Sequence, residues 1–397
     1  MSLKNSLKKT LSVLFKIVVA LFALVGLATT ILAGSLFRHP TQLMTAASAY
    51  ELIRSSYYEK VDQGRLVEGI AFGLTASLGD PYSEYYTQEQ FSAFTSHITG
   101  VYAGIGVLLG MDKETGLVKG IKVFSGSPAA KAGILPGDLI VEVDGKNTEG
   151  FTVEAVANLA KGTAGTTVKV VVFRNGAPLT FEILRAEIKA PSVSGKLLSD
   201  RTTYYIEISS FGDTTANELK NLLQNLGDKP NRIVLDLRNN GGGLVDQTIE
   251  VAKYFLNGGV VLYESGRDKT KLQTFEIGND GYLGVPVVVL VNGNTASSAE
   301  ILAGALQDHK AAVLVGEQTF GKAVVQTVFP MPSGGALKLT TQRYLTPLKR
   351  DINRVGLTPD IEVQMGPEVL GTIDYGMLPD EAHDLQLRKA LEILDQR

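Results

Sequence analysis

A chain of 397 residues exceeds what one hydrophobic core usually serves, so two or more domains are expected. Its 44% apolar and 20% charged residues exclude a disordered protein, and a net charge of -3 supplies no pull toward nucleic acid. The lack of cysteine excludes disulfides, thiolate catalysis and cysteine-based zinc sites together, and four histidines leave little material for a histidine-rich metal site.

Residues Ile17 to Phe37 form a charge-free run of 21 positions, preceded by Lys4, Lys8, Lys9 and Lys16. A helix of that length spans a hydrocarbon layer of ~30 Å, and the lysines orient its start toward the cytoplasm. A cleaved signal peptide is the alternative, with small residues at Ala33-Gly34-Ser35, but signal h-regions run only ~7–15 residues. The expectation is a single-pass anchor in the cell membrane within residues 1–40, with the rest of the chain outside the cytoplasm. Residues 41–96 read as helical: Ala46, Tyr50, Ile53 and Tyr57 share one face, and Leu66, Ile70 and Leu74 another, before Gly79-Asp80-Pro81 breaks the chain. Such helices either form a dimerisation surface, which leaves a homo-oligomer open, or pack on the main body.

Over 97–187, short β-type runs alternate with turns: Gly104 to Val107, Ile121 to Val123, Leu139 to Val143 and Val168 to Phe173. One helix is expected to start at Ser127-Pro128, a hydroxyl cap followed by proline, and another to run from Thr152 to Ala160. Size and order are those of a PDZ domain. Over 188–365, strands at Tyr204–Ile208, Arg232–Leu237, Val285–Val291 and Ala311–Val315 alternate with helices, one of them at Ser298–Leu306, which predicts an α/β core. The apolar run Val285–Val291 predicts a strand covered on both faces. Residues 366–397 close with Leu387, Ala390, Leu391 and Leu394 on one helical face.

Three segments of the core carry chemistry. Thr295-Ala296-Ser297-Ser298-Ala299-Glu300 sits at a strand-to-helix step, where free N–H groups favour negative charge, although a serine there is usually only a cap. Lys322, between Phe320 and Ala323-Val324-Val325, has an apolar setting of the kind that could keep a lysine neutral. Base catalysis by lysine needs its pKa lowered from ~10.4 to about 7–8. Gln326 could orient that amine, but four extended residues would separate the two Cα atoms by ~13 Å, so a bend is required. Gly241-Gly242-Gly243 follows a strand and lets backbone N–H groups approach a ligand, as an oxyanion hole needs. His309 lies 12 residues beyond Ser297, ~18 Å along a helix, and is discounted as a triad partner.

These segments, with Leu78-Gly79-Asp80-Pro81-Tyr82-Ser83, Ser127-Pro128-Ala129-Ala130-Lys131-Ala132-Gly133-Ile134, Gly316 to Lys322 and Gly356-Leu357-Thr358-Pro359-Asp360, resemble the C-terminal processing peptidases. Those are PDZ-containing serine proteases with a Ser–Lys dyad and a core laid out like the crotonase fold. In that family the nucleophile stands three residues before the glutamate and 25 before the lysine, which fits Ser297 and not Ser298. The resemblance implies Lys322 as base, Gln326 as its orienting partner, and the N–H groups of Gly242 and Ser298 as the oxyanion hole. Gly241 replaces a usual proline and Ser298 a usual alanine. Tyr102, Gly104, Ile105, Gly106 and Val107 resemble a carboxylate-binding loop, with Val153, Val156 and Leu159 expected on the opposite wall of a groove for substrate C-termini. The resemblance further implies that this module gates the active site, and that no metal or organic cofactor takes part. A silent PDZ scaffold and a core acting on acyl thioesters are the rival readings. The intact Ser297, Lys322 and Gln326 argue against the first, and the PDZ module with its outward address against the second.

Overall fold

The computed structural model describes residues 38–366 and 379–396, apart from 113, 125 and 227–229. The run expected to anchor the chain, Ile17 to Phe37, lies outside them; among the described residues no helix is long and apolar enough to cross a membrane. The chain divides into two compact units at Asp80, so the helical region expected over 41–96 is shared between them.

The first unit holds α1 (Pro40–Ser56) and α2 (Gln63–Ala76). Proline opens α1, and the Asp62 carboxylate caps α2 by accepting from the N–H groups of Gly64 and Arg65. Ile53, Tyr57, Ile70 and Leu74, which the periodicity placed on apolar faces, are exposed.

The second unit opens with β1 (Glu84–Tyr86) and α3 (Gln88–Thr99), whose start is fixed by a reciprocal capping box between Thr87 and Gln90. The PDZ module follows: β2 (Val101–Gly104), β3 (Val107–Met111), β4 (Val118–Val123), α4 (Pro128–Ala132), β5 (Leu139–Val143), β6 (Lys146–Asn147), α5 (Val153–Ala160), β7 (Thr167–Arg174), β8 (Ala177–Leu184) and β9 (Ala186–Lys189). Its antiparallel sheet runs β3-β4-β5-β7-β8, with β6 on β5, and β2 pairs with β9 as a separate ribbon. Ser127 and Thr152 cap α4 and α5 as expected, accepting from the N–H groups of Ala130 and Ala155. Alternate residues Val168, Val170 and Val172 of β7 are buried against Ile140, Val156 and Ile183. The run Gly104 to Val107, read as one strand, is instead interrupted: Gly104 ends β2, Val107 starts β3, and the chain turns between them at Ile105-Gly106, where Gly106 takes φ +83°.

The core comprises β10 (Val193–Leu197), β11 (Thr203–Ile208), α6 (Thr215–Gln224), β12 (Arg232–Asp236), α7 (Val245–Phe255), β13 (Gly259–Ser265), β14 (Leu272–Ile277), β15 (Val287–Val291), α8 (Ser298–Asp308), β16 (Val313–Gly316), β17 (Val324–Pro330), β18 (Ala336–Leu345), β19 (Ile361–Glu362) and α9 (Leu385–Leu394). One sheet runs β10-β11-β12-β15-β16-β19, parallel except at β10. As the apolar run predicted, β15 is covered on both faces. Val287, Val289 and Val291 meet Leu302 and Leu306 of α8, while Val288 and Leu290 meet Leu387, Ala390 and Leu394 of α9. A second, antiparallel sheet runs β1-β18-β13-β14, with β17 on β18.

Helix α9 is fastened by charge as well as by packing. The Arg238 guanidinium, almost fully buried, donates to Asp236 at 2.6 Å, to Asp384 at 2.7 Å and to Gln386 at 3.0 Å. Tyr205 adds a hydroxyl donor to Asp236 at 2.6 Å. Burial opposes the arginine's charge, yet the two carboxylates outweigh it and raise its pKa further. Asp384→Ala leaves that guanidinium with one carboxylate and removes the cap of α9. We expect a loss of about 3 kcal/mol in denaturant unfolding; a loss below about 1 kcal/mol would show that Asp236 alone suffices.

Candidate active site

The step from β15 to α8 is held by neighbouring loops before any catalytic group is considered. The Thr295 hydroxyl donates to the Leu237 carbonyl at 2.9 Å, and the Ala296 N–H to the Asn240 carbonyl at 2.9 Å. Ser297 then takes φ +56° and ψ -119°, a conformation that costs a non-glycine residue ~1–2 kcal/mol and needs support. Support comes from Glu300, which is fully buried. Its Oε2 accepts from the N–H groups of Ser297 and Lys322, each at 2.9 Å; its Oε1 accepts from the Gly321 N–H at 2.7 Å and the Thr319 hydroxyl at 2.5 Å. A second clamp is the Tyr344 hydroxyl of β18, 3.1 Å from the Ser297 carbonyl oxygen and 3.0 Å from that of Lys322. Burial first, and the Glu300 charge second, push the Tyr344 phenol far above its ordinary pKa, so it stays a hydroxyl.

Ser297, Lys322 and Gln326 line one cavity of about 260 Å³, with Gly241, Gly243 and an apolar wall that includes Phe94, Ile98, Leu244, Val245, Ile301 and Val328. Lys322 precedes β17, and a register shift at Val325/Gln326 supplies the bend that the sequence required. The Gln326 amide lies 3.4 Å from the Thr340 hydroxyl and from the Val324 carbonyl. The Lys322 ammonium lies 5.0 Å from the centre of the Tyr82 ring. Ser298 is fully buried, and its hydroxyl donates to the Gly243 carbonyl at 2.9 Å. Of the two adjacent serines, Ser297 is therefore the one that faces the cavity.

The glycine loop meets Ser297 closely. A Cβ on Gly242, at φ +101°, would lie 2.8 Å from the Ser297 Cβ, so no side chain fits there. The Gly242 N–H, expected to be an oxyanion donor, is held by Asn240 Oδ1 at 2.8 Å. Nothing lies within 4 Å of a Cβ on Gly241, so space does not demand glycine in place of proline. His309 ends α8 with Nε2 2.7 Å from the Val260 carbonyl oxygen, away from the cavity.

Residues 202–363 match peptidase family S41, residues 122–174 the PDZ domain, and residues 33–90 the activating protease CtpB N-terminal domain. The chain is 37% identical over 335 residues to a carboxy-terminal-processing protease of Bartonella bacilliformis, covering 81% of this chain and 75% of that one. It is 36% identical over 333 residues to the carboxy-terminal processing protease CtpA of Bacillus subtilis, covering 83% and 69%. The chain belongs to the S41 peptidases. A crystal structure of a putative S41 protease from Bacteroides fragilis shares the fold, with a TM-score of 0.55, 17% identity, and coverage of 87% of this chain and 96% of that one. This S41 peptidase is of the serine type, in the carboxy-terminal processing family.

The peptidase has a second cleft, on the PDZ module. All five expected loop residues, Tyr102, Gly104, Ile105, Gly106 and Val107, line a groove of about 460 Å³. The carbonyls of Ile105 and Gly106 accept from Ala129 and Phe124, so the N–H groups of Gly106 and Val107, across the same trans peptide planes, point away from that packing. The opposite wall is Val153, Ala157 and Ala160 of α5, with Lys161 just after the helix. Val156 and Leu159, expected there, turn into the module's core instead. No side chain fits at Gly106, where an added Cβ would lie 2.4 Å from the Ser127 Cβ.

Sequence reading found Glu300 only as a spacing and missed Tyr344 altogether. Glu300→Gln would turn an NH2 toward two of the four donors now satisfied by carboxylate oxygens. We expect a fall in kcat/KM of at least about 100-fold and a stability loss of roughly 2–4 kcal/mol. Wild-type kinetics in that variant would remove Glu300 from the machinery.

Proposed function

We propose that this peptidase is a membrane-anchored endopeptidase acting outside the cytoplasm, with Ser297 as nucleophile and Lys322 as general base. The observation that carries the reading is that both residues face one cavity and have their backbone amides on the same carboxylate oxygen. In this mechanism Ser297 Oγ attacks the scissile carbonyl while the neutral Lys322 amine takes its proton. The resulting ammonium returns a proton to the leaving amine, and water then hydrolyses the acyl-enzyme by the same route. The Ser298 N–H, at the first turn of α8, and the Gly242 N–H receive the oxyanion, the latter by exchanging its bond to Asn240. Gln326 keeps the amine directed at Ser297. The charge-free run 17–37 and the lysines before it support the anchor and the outward address.

Ser297→Ala and Lys322→Ala should each abolish cleavage of an unstructured protein without unfolding the enzyme. Ser298→Ala, which loses only the bond to Gly243, should retain most of it. The reverse pattern would move the nucleophile by one residue. Because an ammonium cannot accept the serine proton, kcat/KM should rise with pH as Lys322 deprotonates. A flat profile from mildly acidic to strongly basic pH would argue against a titrating lysine.

The PDZ groove fits an extended peptide ending in a free carboxylate, with the terminus at the Gly106 and Val107 amides and an apolar side chain against Ala157 and Ala160. We propose that tails bound there are delivered to Ser297 and that their binding gates it. The inactive Ser297→Ala protein, titrated with free-acid and amidated forms of one peptide, should bind the free acid more tightly, by roughly tenfold. Equal affinities would leave the module as a spacer.

A further inference from the structure

The cavity that holds Ser297 contains a second lysine. Lys338 of β18 is among its lining residues, and the formal charges among its described lining residues are those of Lys322 and Lys338, with no acid. Lys338 is held in place from three directions. Its ammonium lies 4.9 Å from the Tyr86 ring centre and 5.0 Å from that of Phe94, two rings stacked 4.9 Å apart. It also donates to the Tyr86 hydroxyl at 2.5 Å, and Glu84 of β1, itself half exposed, sits 3.4 Å away. The side chain is only 15% exposed.

An ammonium so far withdrawn from water is expensive to keep unless something of opposite charge meets it. Glu84 meets it loosely: the contact is long, and the carboxylate remains hydrated. Two of the three ammonium donors are directed at Tyr86 and Glu84 among the described residues. Pairing of β1 with β18 in the register Glu84↔Lys338 fixes the lysine's root, so the charge is positioned before substrate arrives. We propose that Lys338 is a specificity residue that receives a carboxylate of the bound polypeptide near the scissile bond. That group is either the side chain of an acidic residue or the free C-terminus of a short tail. The proposal rests on the reading that the cavity at Ser297 is the peptidase site.

The test measures ratios within one enzyme, so a change in general activity cancels. One neutral peptide is compared with versions carrying Glu or Gln at each position from four before to four after the cleaved bond. A second series ends one to four residues beyond the bond, as free acid or amide. The wild-type enzyme should favour the carboxylate at one position of one series by roughly three- to thirtyfold in kcat/KM, between the range of an exposed ion pair and that of a buried charged bond. A preference for glutamate identifies a side chain as the ligand, and a preference for the short free acid identifies the terminus. In Lys338→Met that ratio should fall to about one, and in Lys338→Glu the matching Lys-for-Gln comparison should favour lysine. The PDZ groove also reads free termini, so only the part of the preference lost in Lys338→Met counts. A ratio near one throughout in wild type, or an unchanged ratio in Lys338→Met, would overturn the proposal and leave Lys338 as a brace between α3 and the sheet. Persistent cleavage in Ser297→Ala would instead overturn the site itself, independently of these ratios.

Discussion

The buried Glu300 carboxylate ties together the two segments that carry Ser297 and Lys322. A carboxylate offers about four lone-pair directions, and here four donors fill them: two amides and a hydroxyl from 319–322 through one wall, and the Ser297 amide through the other. Burying an anion costs several kcal/mol unless its hydrogen bonds are complete, so the arrangement tolerates neither a missing donor nor a shorter side chain. The left-handed turn at Ser297 persists because its amide is one of those donors. Tyr344 repeats the logic with opposite polarity, gathering the carbonyls of the same two residues on one hydroxyl. Ser297 and Lys322 are thus fixed through their backbones, and both line the cavity.

A second set of contacts ties this centre to the sheet. Asn239, Asn292 and Asn294 exchange hydrogen bonds across the ends of β12 and β15, and Asn240 reaches both the Ile208 carbonyl and the Gly242 N–H. The last contact means that the glycine loop rests on a neutral acceptor. In the mechanism proposed above, a developing oxyanion would be a stronger acceptor than an amide oxygen, by roughly a factor of two, which would favour the exchange.

What could be read in the sequence was what depends on local chemistry. The caps at Ser127 and Thr152, the doubly covered strand Val287–Val291 and the amphipathic α9 each carry their pattern in adjacent residues. The spacing of Ser297, Glu300 and Lys322 was legible too, but not the bonds of Glu300, because they go to backbone amides that every sequence possesses. The antiparallel sheet of β13, β14, β17 and β18 left no such mark. In β18, Lys338, Thr340, Thr341, Gln342 and Arg343 set polar residues on both faces, and one face borders the cavity at Ser297. Tyr344 and Lys338 sit on that strand, and both went unnoticed for that reason. On α5 the period was right but the facing was wrong: Val156 turned inward and the smaller Ala157 outward, where a peptide needs room.

The charge cluster around Arg238 also has a temporal side. Asp236 lies two residues from the arginine, but Asp384 lies 146 residues further along the chain. At ~5–20 residues per second of synthesis, roughly 7–30 seconds separate the appearance of the two carboxylates. During that interval the sheet face that α9 will cover is open, and the buried guanidinium has its Asp236 partner but lacks the hydrogen bonds of Asp384 and Gln386 that will hold it to α9.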